Sequence, residues 1–249
     1  MSGLDEYLPT LWGVGALVVI TTGLLLAYRV RSGWSPALAI LRGALQLAVI
    51  SLILSGVIEN LWLVGCALAV MFIVATTTAT RRLGWTTKHY AVVCCAMGTG
   101  IAVSLGIVFL TGALEPTPRY LLAIGGIVIG SAMGMATVSG RTLIESIGVR
   151  WEQVEGWLAL GATPRQATLP LARGAVHTAL VPAVDQTNTT GLVTLPGAFV
   201  GAIFGGISPI EAGRFQIVVL AAVLATGAIT AVITASWLAP VRQRPLAIA

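Results

Sequence analysis

A few polar side chains in this otherwise apolar sequence are placed where they could bind or guide a solute. Arg42 and Gln46 are four residues apart and would share one helix face. Asp185 is the only acidic residue between Glu155 and Glu211. An ionisable group inside an apolar run is costly and by default suggests function. These residues predict a solute path, although a snorkelling Arg42 and a capping Asp185 are plain structural alternatives.

More polar residues follow Asp185, and a proline then interrupts an apolar run. Proline removes a backbone hydrogen bond and kinks a helix, which suits a gate or a purely structural bend equally well. The predicted path or gate comprises Arg42, Gln46, Asp185, Thr187, Asn188, Thr190, Pro196 and Gly197.

The sequence patterns of enzymatic and metal chemistry are missing. There is no Ser-His-Asp set, no paired carboxylates, no HExxH and no GxxxxGK[ST] loop; the single lysine, Lys88, lacks the preceding glycines. Met133, Met135 and His177 could offer soft ligands, but packing is the commoner explanation. We therefore predict no metal site, no cofactor and no enzymatic activity, so that active pumping would need energy from a partner or an ion gradient.

The composition is that of a membrane protein. Of the 249 residues, 57% are hydrophobic and 9% are charged, whereas about a quarter are charged in soluble domains. This composition excludes a soluble enzyme and a disordered chain. A nucleic-acid binder is also excluded, because the net charge of +5 comes from arginines that are scattered along the sequence. The N-terminus carries Asp5 and Glu6 rather than a positive signal region, so the first apolar run should remain a span.

Seven apolar runs approach the roughly 20 residues that a spanning helix needs. We predict an all-α polytopic membrane protein, a single permease domain over residues 1–249 with about seven transmembrane helices. Glycines at 126, 130 and 134 predict close helix packing. Segment 174–188 fits either an interfacial helix or the cytoplasmic start of a longer sixth helix. The runs are about 8–28, 37–58, 61–80, 89–113, 120–139, 189–207 and 215–239.

Positive charges predict the orientation. With the N-terminus outside and the C-terminus inside, only Arg119 and Arg214 fall outside, which fits the cytoplasmic excess of Lys and Arg. The cytoplasmic side then carries Arg29, Arg31, Arg42, Arg81, Arg82, Lys88, Arg141, Arg150, Arg165, Arg173, Arg242 and Arg244.

The long inside segment, about 140–175, predicts an amphipathic helix pair. One helix should end at Gly161, a natural stop residue. The next should begin with a capping box, in which Thr163 is the N-cap, Pro164 the first helical residue and Gln166 the partner. The pair is either a docking element for a cytoplasmic protein or a membrane-surface structure without a partner. Its apolar stripe is Ile144, Ile147, Trp151, Val154 and Leu158.

Several segments resemble a known family. Glu155 and Gly161 match the Glu-x5-Gly core of the cytoplasmic coupling motif of ABC-transporter permeases. The wider pattern is similar to the FetB-type permeases, which include bacterial iron-export permeases and plant aluminium-tolerance relatives. That pattern comprises Arg42-x3-Gln46, Leu160–Ala167, Ala179–Asp185, Gly191–Gly197, Ile210–Ala212 and Gln216–Val218.

The resemblance implies a permease subunit of an ABC exporter in the bacterial inner membrane, with a metal ion such as iron, or alternatively a sugar-nucleotide-like solute, as cargo. A separate ATPase would bind ATP and Mg, dock on about 145–168 and serve a homodimer of permeases. A secondary transporter, which would show inverted repeats and midplane charges, and a non-transporting anchor for an ATPase remain alternatives. The implied coupling residues are Glu155, Gly161, Ala162, Thr163, Pro164, Arg165 and Gln166.

Overall fold

The computed structural model describes residues 4–30 and 32–245, so Arg31 of the predicted cytoplasmic charges lies outside the described residues. This part of the chain is helical, apart from turns and one isolated bridge between Thr190 and Thr194. It divides into two compact units, Met1–Val57 and Ile58–Ala249. The single permease domain stays a prediction.

The first unit is a pair of long apolar helices. Helix α1 spans Leu4–Ala27 and α2 spans Ser35–Val57, with a turn between them. The described side chains of both helices are mostly exposed and apolar, as expected of helices that face lipid. In the turn, a Cβ on Gly33 would lie 2.9 Å from Leu26 Cδ2, so the chain passes close to α1 there.

The second unit is a helical bundle. Helix α5 contacts α3, α4, α7 and α9, while α9 also contacts α4, α7 and the short α8. Ala79, Leu83, Leu143 and Leu238 belong to a large apolar core where α3, α5 and α9 end. The helices of this unit are α3 Leu61–Arg82, α4 Thr87–Leu110, α5 Pro118–Val149, α6 Trp151–Ala159, α7 Pro164–Thr189, α8 Gly197–Phe204 and α9 Pro209–Leu238.

Helices α4 and α9 approach closely through small and hydroxyl residues. Thr226 Oγ1 donates to the Gly100 carbonyl at 3.3 Å, and Thr230 Oγ1 donates to the Ala96 carbonyl at 3.4 Å. A Cβ on Gly100 would lie 2.9 Å from the Thr226 carbonyl oxygen. The glycine is therefore required for this helix–helix distance.

The all-helical membrane fold is confirmed, but the count of seven spans is not. Five described helices are long and apolar enough to cross a bilayer: Leu8–Ala27, Leu61–Arg82, Thr87–Leu110, Pro118–Val149 and Pro209–Leu238. The described apolar part of α2 is shorter, Ser35–Ser51. Helix α7 is not among these spans because its polar side chains lower its mean hydropathy.

The predicted sixth run, 189–207, is wrong as a single helix. Segment 174–188 is not the start of that run, because it belongs to the continuous helix α7, which ends at Thr189. A turn follows at Gly191, which has φ +87°, and α8 is only 8 residues long. Pro196 precedes α8 and kinks no helix, whereas Pro170 and Pro182 lie inside α7. The prediction followed the mean hydropathy, which is higher in segment 189–207 than in α7.

The predicted fifth run is too short. Helix α5 continues to Val149 because the Ser, Thr and Gly residues after position 139 do not break it. The predicted amphipathic helix is consequently split at Arg150 between the end of α5 and α6. Its stripe is nonetheless directed inward, since Ile147 and Val154 are each 1% exposed.

The predicted glycine packing is only partly correct. A Cβ on Gly126 would come within 3.3 Å of Met71 Cε, but Gly130 and Gly134 face open space. The tighter approaches on α5 are at Gly125 and Gly140, where a Cβ would meet Leu side chains of the second unit at 2.8 and 2.6 Å. Of the three glycines in the predicted motif, only Gly126 therefore lies against another helix.

Candidate functional site

The end of α5, helix α6 and the first turn of α7 form the elbow, residues 145–168. Helix α6 ends at Ala159, and the chain reverses through Gly161, whose φ is +92°. The Gly161 N–H donates to the Leu158 carbonyl and the Ala162 N–H donates to the Trp157 carbonyl, both at 3.0 Å. Only glycine adopts this left-handed conformation without a steric penalty.

The start of α7 is held by the predicted capping box. The Thr163 N–H donates to Gln166 Oε1 at 2.9 Å, and the Gln166 N–H donates to Thr163 Oγ1 at 3.3 Å. Pro164 is the first helical residue, and its carbonyl accepts a 2.8 Å hydrogen bond from Thr168 Oγ1. The two bonds between Thr163 and Gln166 satisfy backbone donors that a helix start leaves unpaired.

The elbow is anchored on the apolar core of the second unit. Val154 of α6 belongs to the same buried cluster as Leu143 and Ile147 of α5 and Ala167 and Leu171 of α7. Trp151 and Leu158 are partly buried against that cluster. Because close-packed interiors transmit displacement, movement of α6 would be passed to both α5 and α7.

The outer surface of the elbow combines exposed apolar and charged side chains. Val149 is 85% exposed, Trp157 52% and Leu160 82%. The only ion pair in the described part of the chain joins Arg141 Nε to Glu145 Oε1 at 3.8 Å, just beside this surface. The exposed charged residues of the elbow are Glu145, Arg150, Glu152, Glu155 and Arg165. A clustered apolar and charged surface of this kind is suited to a protein partner.

Helix α7 runs back from the elbow along α5 and α9. Near its start it packs beside the end of α5, and further on Ala179 and Ala183 share a buried cluster with Met135 of α5 and Ala231 of α9. Its opposite face carries Arg173 and His177, both exposed. One face of α7 is therefore packed, and the exposed remainder carries polar side chains among apolar ones such as Val181 and Val184.

The predicted path residues on α7 lie far from the elbow. Asp185 is 22 residues beyond the Thr163 N-cap, or roughly 33 Å along the helix axis at about 1.5 Å per residue. It is exposed, as is Asn188, whereas Thr187 is half-buried with its hydroxyl on the Ala183 carbonyl at 2.7 Å. Asp185 and the elbow therefore lie toward opposite ends of α7.

The remaining predicted residues follow in two places. Thr190 caps the end of α7, where its hydroxyl donates to the Gln186 carbonyl at 2.6 Å. Pro196 is the N-cap of α8 and Gly197 is its first residue, so both follow within eight positions of the end of α7 at Thr189. Arg42 and Gln46 are both exposed on α2 of the first unit, and their role in the path stays a prediction.

Among residues 4–30 and 32–245, no three His, Cys, Asp or Glu side chains are grouped so that they could hold a metal ion. Met135 is buried and packs between α5, α7 and α9, as its packing interpretation requires.

The close approach of α4 and α9 was missed, although Thr226, Thr230 and Thr234 recur every four residues and signal a shared helix face.

The chain matches one family model over nearly its whole length. The model is described as "Uncharacterised protein family (UPF0014)" and matches residues 9–241. The chain belongs to this family. The resemblance to FetB-type permeases is thereby confirmed, because a protein named FetB is among the relatives that the chain matches.

Three relatives illustrate the range of the family. The chain is 34% identical to "UPF0014 membrane protein STAR2" of Oryza sativa subsp. japonica, over 89% of this chain and 79% of the relative. It is 35% identical to "Protein ALUMINUM SENSITIVE 3" of Arabidopsis thaliana, over 82% and 77%. It is 34% identical to "Probable iron export permease protein FetB" of Escherichia coli (strain K12), over 75% and 74%. No solved structure matches the chain.

Proposed function

We propose that this chain is the membrane-spanning subunit of an ABC exporter, driven by a separate ATPase that docks on the elbow. The observation that carries the proposal is the construction of the elbow itself. It is stiffened by a capping box, anchored through Val154, and exposes Trp157 and Leu160. An exposed apolar surface on a rigid support is typical of a docking site.

The helix connections suit the transmission of force. Both α5 and α7 leave the elbow and extend to the other end of the second unit. A displacement of α6 would thus reach Asp185 along α7, without requiring a flexible linker. The ATPase would bind ATP and Mg, and two permease copies would each receive one ATPase.

The charge distribution supports a cytoplasmic elbow. In the second unit, Arg119 and Arg214 lie at the starts of α5 and α9, away from the elbow. The other basic residues of this unit are Arg81, Arg82, Lys88, Arg141, Arg150, Arg165, Arg173, Arg242 and Arg244. Cytoplasmic segments of membrane proteins carry this excess. With α7 as the sixth crossing, the N-terminus is outside and the C-terminus inside, in a bacterial inner membrane.

The exposed charged and polar side chains of α7 favour transport over a passive anchor. A charged side chain at the bilayer centre costs about 2.5–3.5 kcal/mol on insertion scales. Arg173, His177 and Asp185 would therefore face protein or water rather than lipid. We assign these side chains to the solute path, with Arg42, Gln46, Thr187, Asn188, Thr190, Pro196 and Gly197 as further path or gate residues. The cargo is a metal ion such as iron, as the name of the FetB relative suggests.

The docking proposal is tested by charge reversal on the elbow. Glu155→Lys should reduce the co-purified ATPase by about tenfold, since reversing a charge opposite a complementary surface costs more than a kcal/mol. Gly161→Leu should do the same, because leucine is strained at φ +92°. Glu115→Lys, an exposed reversal outside the elbow, is the matched control. Unchanged ATPase recovery with both elbow variants, at equal membrane abundance, would contradict the assignment.

The path proposal is tested at Asp185. Asp185→Asn keeps the size of the side chain and removes its charge. It should lower transport in vesicles by about tenfold, as expected when one charge-assisted contact is lost, while the ATPase still co-purifies. Thr178→Val, an exposed change on the same helix, should leave transport nearly intact. Normal transport by the Asp185 variant would remove this residue from the path.

A further inference from the structure

The second unit contains a cavity away from the elbow. It has a volume of about 350 Å³ and lies between the first turns of α5 and α9 and the short helix α8. Its walls are mainly apolar and include Ala123, Ala198, Ala202 and Ile207. This volume is near the lower end of the roughly 300–1,000 Å³ range of ligand cavities. None of the predicted path or coupling residues lines it.

Two opposite charges also line this cavity. Arg119 is the second residue of α5, and Glu211 is the third residue of α9, where the Glu211 N–H donates to Ser208 Oγ at 3.3 Å. Both side chains are exposed. They do not pair with each other, because the one ion pair of the described chain lies between two other residues, in α5. The cavity therefore presents a free cation and a free anion beside an apolar space.

The position of the cavity corresponds to a membrane interface. Helices α5 and α9 are both candidate spans, and the cavity lies at their first turns. Tyr120 and Phe215 also line it, with ring centroids 5.6 Å apart. Tyrosine side chains such as that of Tyr120 are enriched at the headgroup level of membranes. A ligand at this depth would meet both the polar headgroup layer and the hydrocarbon.

We propose that this cavity binds a zwitterionic phospholipid with a primary-amine headgroup, that is, a phosphatidylethanolamine. Arg119 would bind the phosphate and Glu211 the ammonium group, both through charge-assisted hydrogen bonds. Part of one acyl chain would fill the apolar space beside Ala123 and Ala202. Phosphatidylglycerol offers no cation to Glu211, and the quaternary amine of phosphatidylcholine offers it no N–H donor.

The test uses the full-length protein, purified in detergent and titrated with dioleoyl lipids. Bound lipid is counted by native mass spectrometry, and the midpoint of thermal unfolding of the protein is measured in parallel. Wild-type protein should bind phosphatidylethanolamine about tenfold more tightly than phosphatidylglycerol or phosphatidylcholine, as expected for one additional charged contact. Glycerophosphoethanolamine, which has no acyl chains, should leave the midpoint unchanged. Equal binding of the three lipids, or a midpoint shift by the chainless headgroup, would overturn the proposal.

Variants separate the two charges. Arg119→Gln should weaken the binding of all phospholipids about tenfold, because the phosphate contact is lost. Glu211→Gln should abolish the preference for phosphatidylethanolamine over phosphatidylglycerol. Arg214→Gln, an exposed arginine in the same first turns of α9 that does not line the cavity, should keep the wild-type preference. An equal loss with Arg214→Gln and Arg119→Gln would show only general attraction to phosphate and would overturn the assignment.

Ala202→Phe tests the apolar part of the site. The larger ring should occupy the cavity and remove the phosphatidylethanolamine-dependent rise in midpoint. Its midpoint without added lipid should remain near the wild-type value, because Ala202 lines open space on a half-buried helix. If that baseline midpoint falls, the two charge variants, both at exposed positions, still decide the proposal. Unaltered lipid binding by a stably folded Ala202→Phe variant would contradict a lipid chain in this cavity.

Discussion

The two ends of the second unit are built on different physical principles. At the elbow end, α3, α5, α6, α7 and α9 share one large buried cluster, and the chain reverses through a capped four-residue turn. The other end, which we call the far end, comprises residues 111–120 and 190–211. There the core is smaller, α8 has no fully buried side chain, and a cavity of about 350 Å³ remains.

This difference in packing indicates that the elbow end and the far end respond differently to a force. A close-packed end resists deformation and can pass on a force, whereas a loosely packed end with a short helix has lower local stability. The long helices α5, α7 and α9 join the two ends. A displacement of the elbow would thus be transmitted to the far end, where the packing is looser.

The largest expected effect is that of a charge in the core of the elbow. Val154→Asp would bury a carboxylate without a partner at a site that is 1% exposed. It should lower the free energy of unfolding by more than about 3 kcal/mol. The same change at the far end, Leu192→Asp, concerns a side chain that is 91% exposed and should cost less than about 0.5 kcal/mol.

Thermal unfolding in detergent and limited proteolysis of the elbow measure this difference. Gln153→Asp, at the exposed position next to Val154, controls for the added charge on α6. Similar unfolding midpoints for the Val154 and Leu192 variants would show that the two ends do not differ as described.

A second expected effect lies along α4, between the two ends. Gly100→Val would force a side chain against α9, where a Cβ meets Thr230 Oγ1 at 2.7 Å and the Thr226 carbonyl at 2.9 Å. Overpacking of this kind costs about 1–3 kcal/mol. Gly106→Val, six residues further toward the far end, introduces the same side chain into open space and is the control. The unfolding midpoint should fall only for Gly100→Val; an equal fall for both variants would mean that glycine flexibility, not helix contact, is what matters.

The elbow could be predicted from the sequence because its signals are local. Thr163, Pro164 and Gln166 specify a helix start within four residues, and Gly161 specifies the reversal just before it. The inward stripe at Ile147 and Val154 follows from helical spacing alone. Such features do not depend on which other helix lies nearby, so one sequence is sufficient to find them.

The far end could not be predicted because its signals depend on packing partners. The alanines of α7 pack against α5 and α9, but its polar residues lower its mean hydropathy, so hydropathy alone predicts the sixth run at 189–207 instead. Gly126, Gly130 and Gly134 share a motif, yet only Gly126 approaches another helix, at Met71 of α3. The cavity joins Arg119 with Glu211, which are 92 positions apart in the chain, and no sequence motif links them.

The smallest expected effect compares one helix cap at each end. Thr163→Ala should cost about 1 kcal/mol, because it removes the side-chain acceptor of the capping box. Thr117 also caps a helix, through a 3.3 Å bond from the Tyr120 N–H, but no reciprocal side-chain bond accompanies it. Thr117→Ala should therefore cost clearly less than Thr163→Ala, and Thr163→Ser should restore most of the loss. Unfolding midpoints of the three variants, combined with proteolysis at residues 160–163, measure the order. If Thr117→Ala proves at least as damaging as Thr163→Ala, the cap of α5 is at least as strong as the cap of α7, and local capping does not explain the stiffness of the elbow.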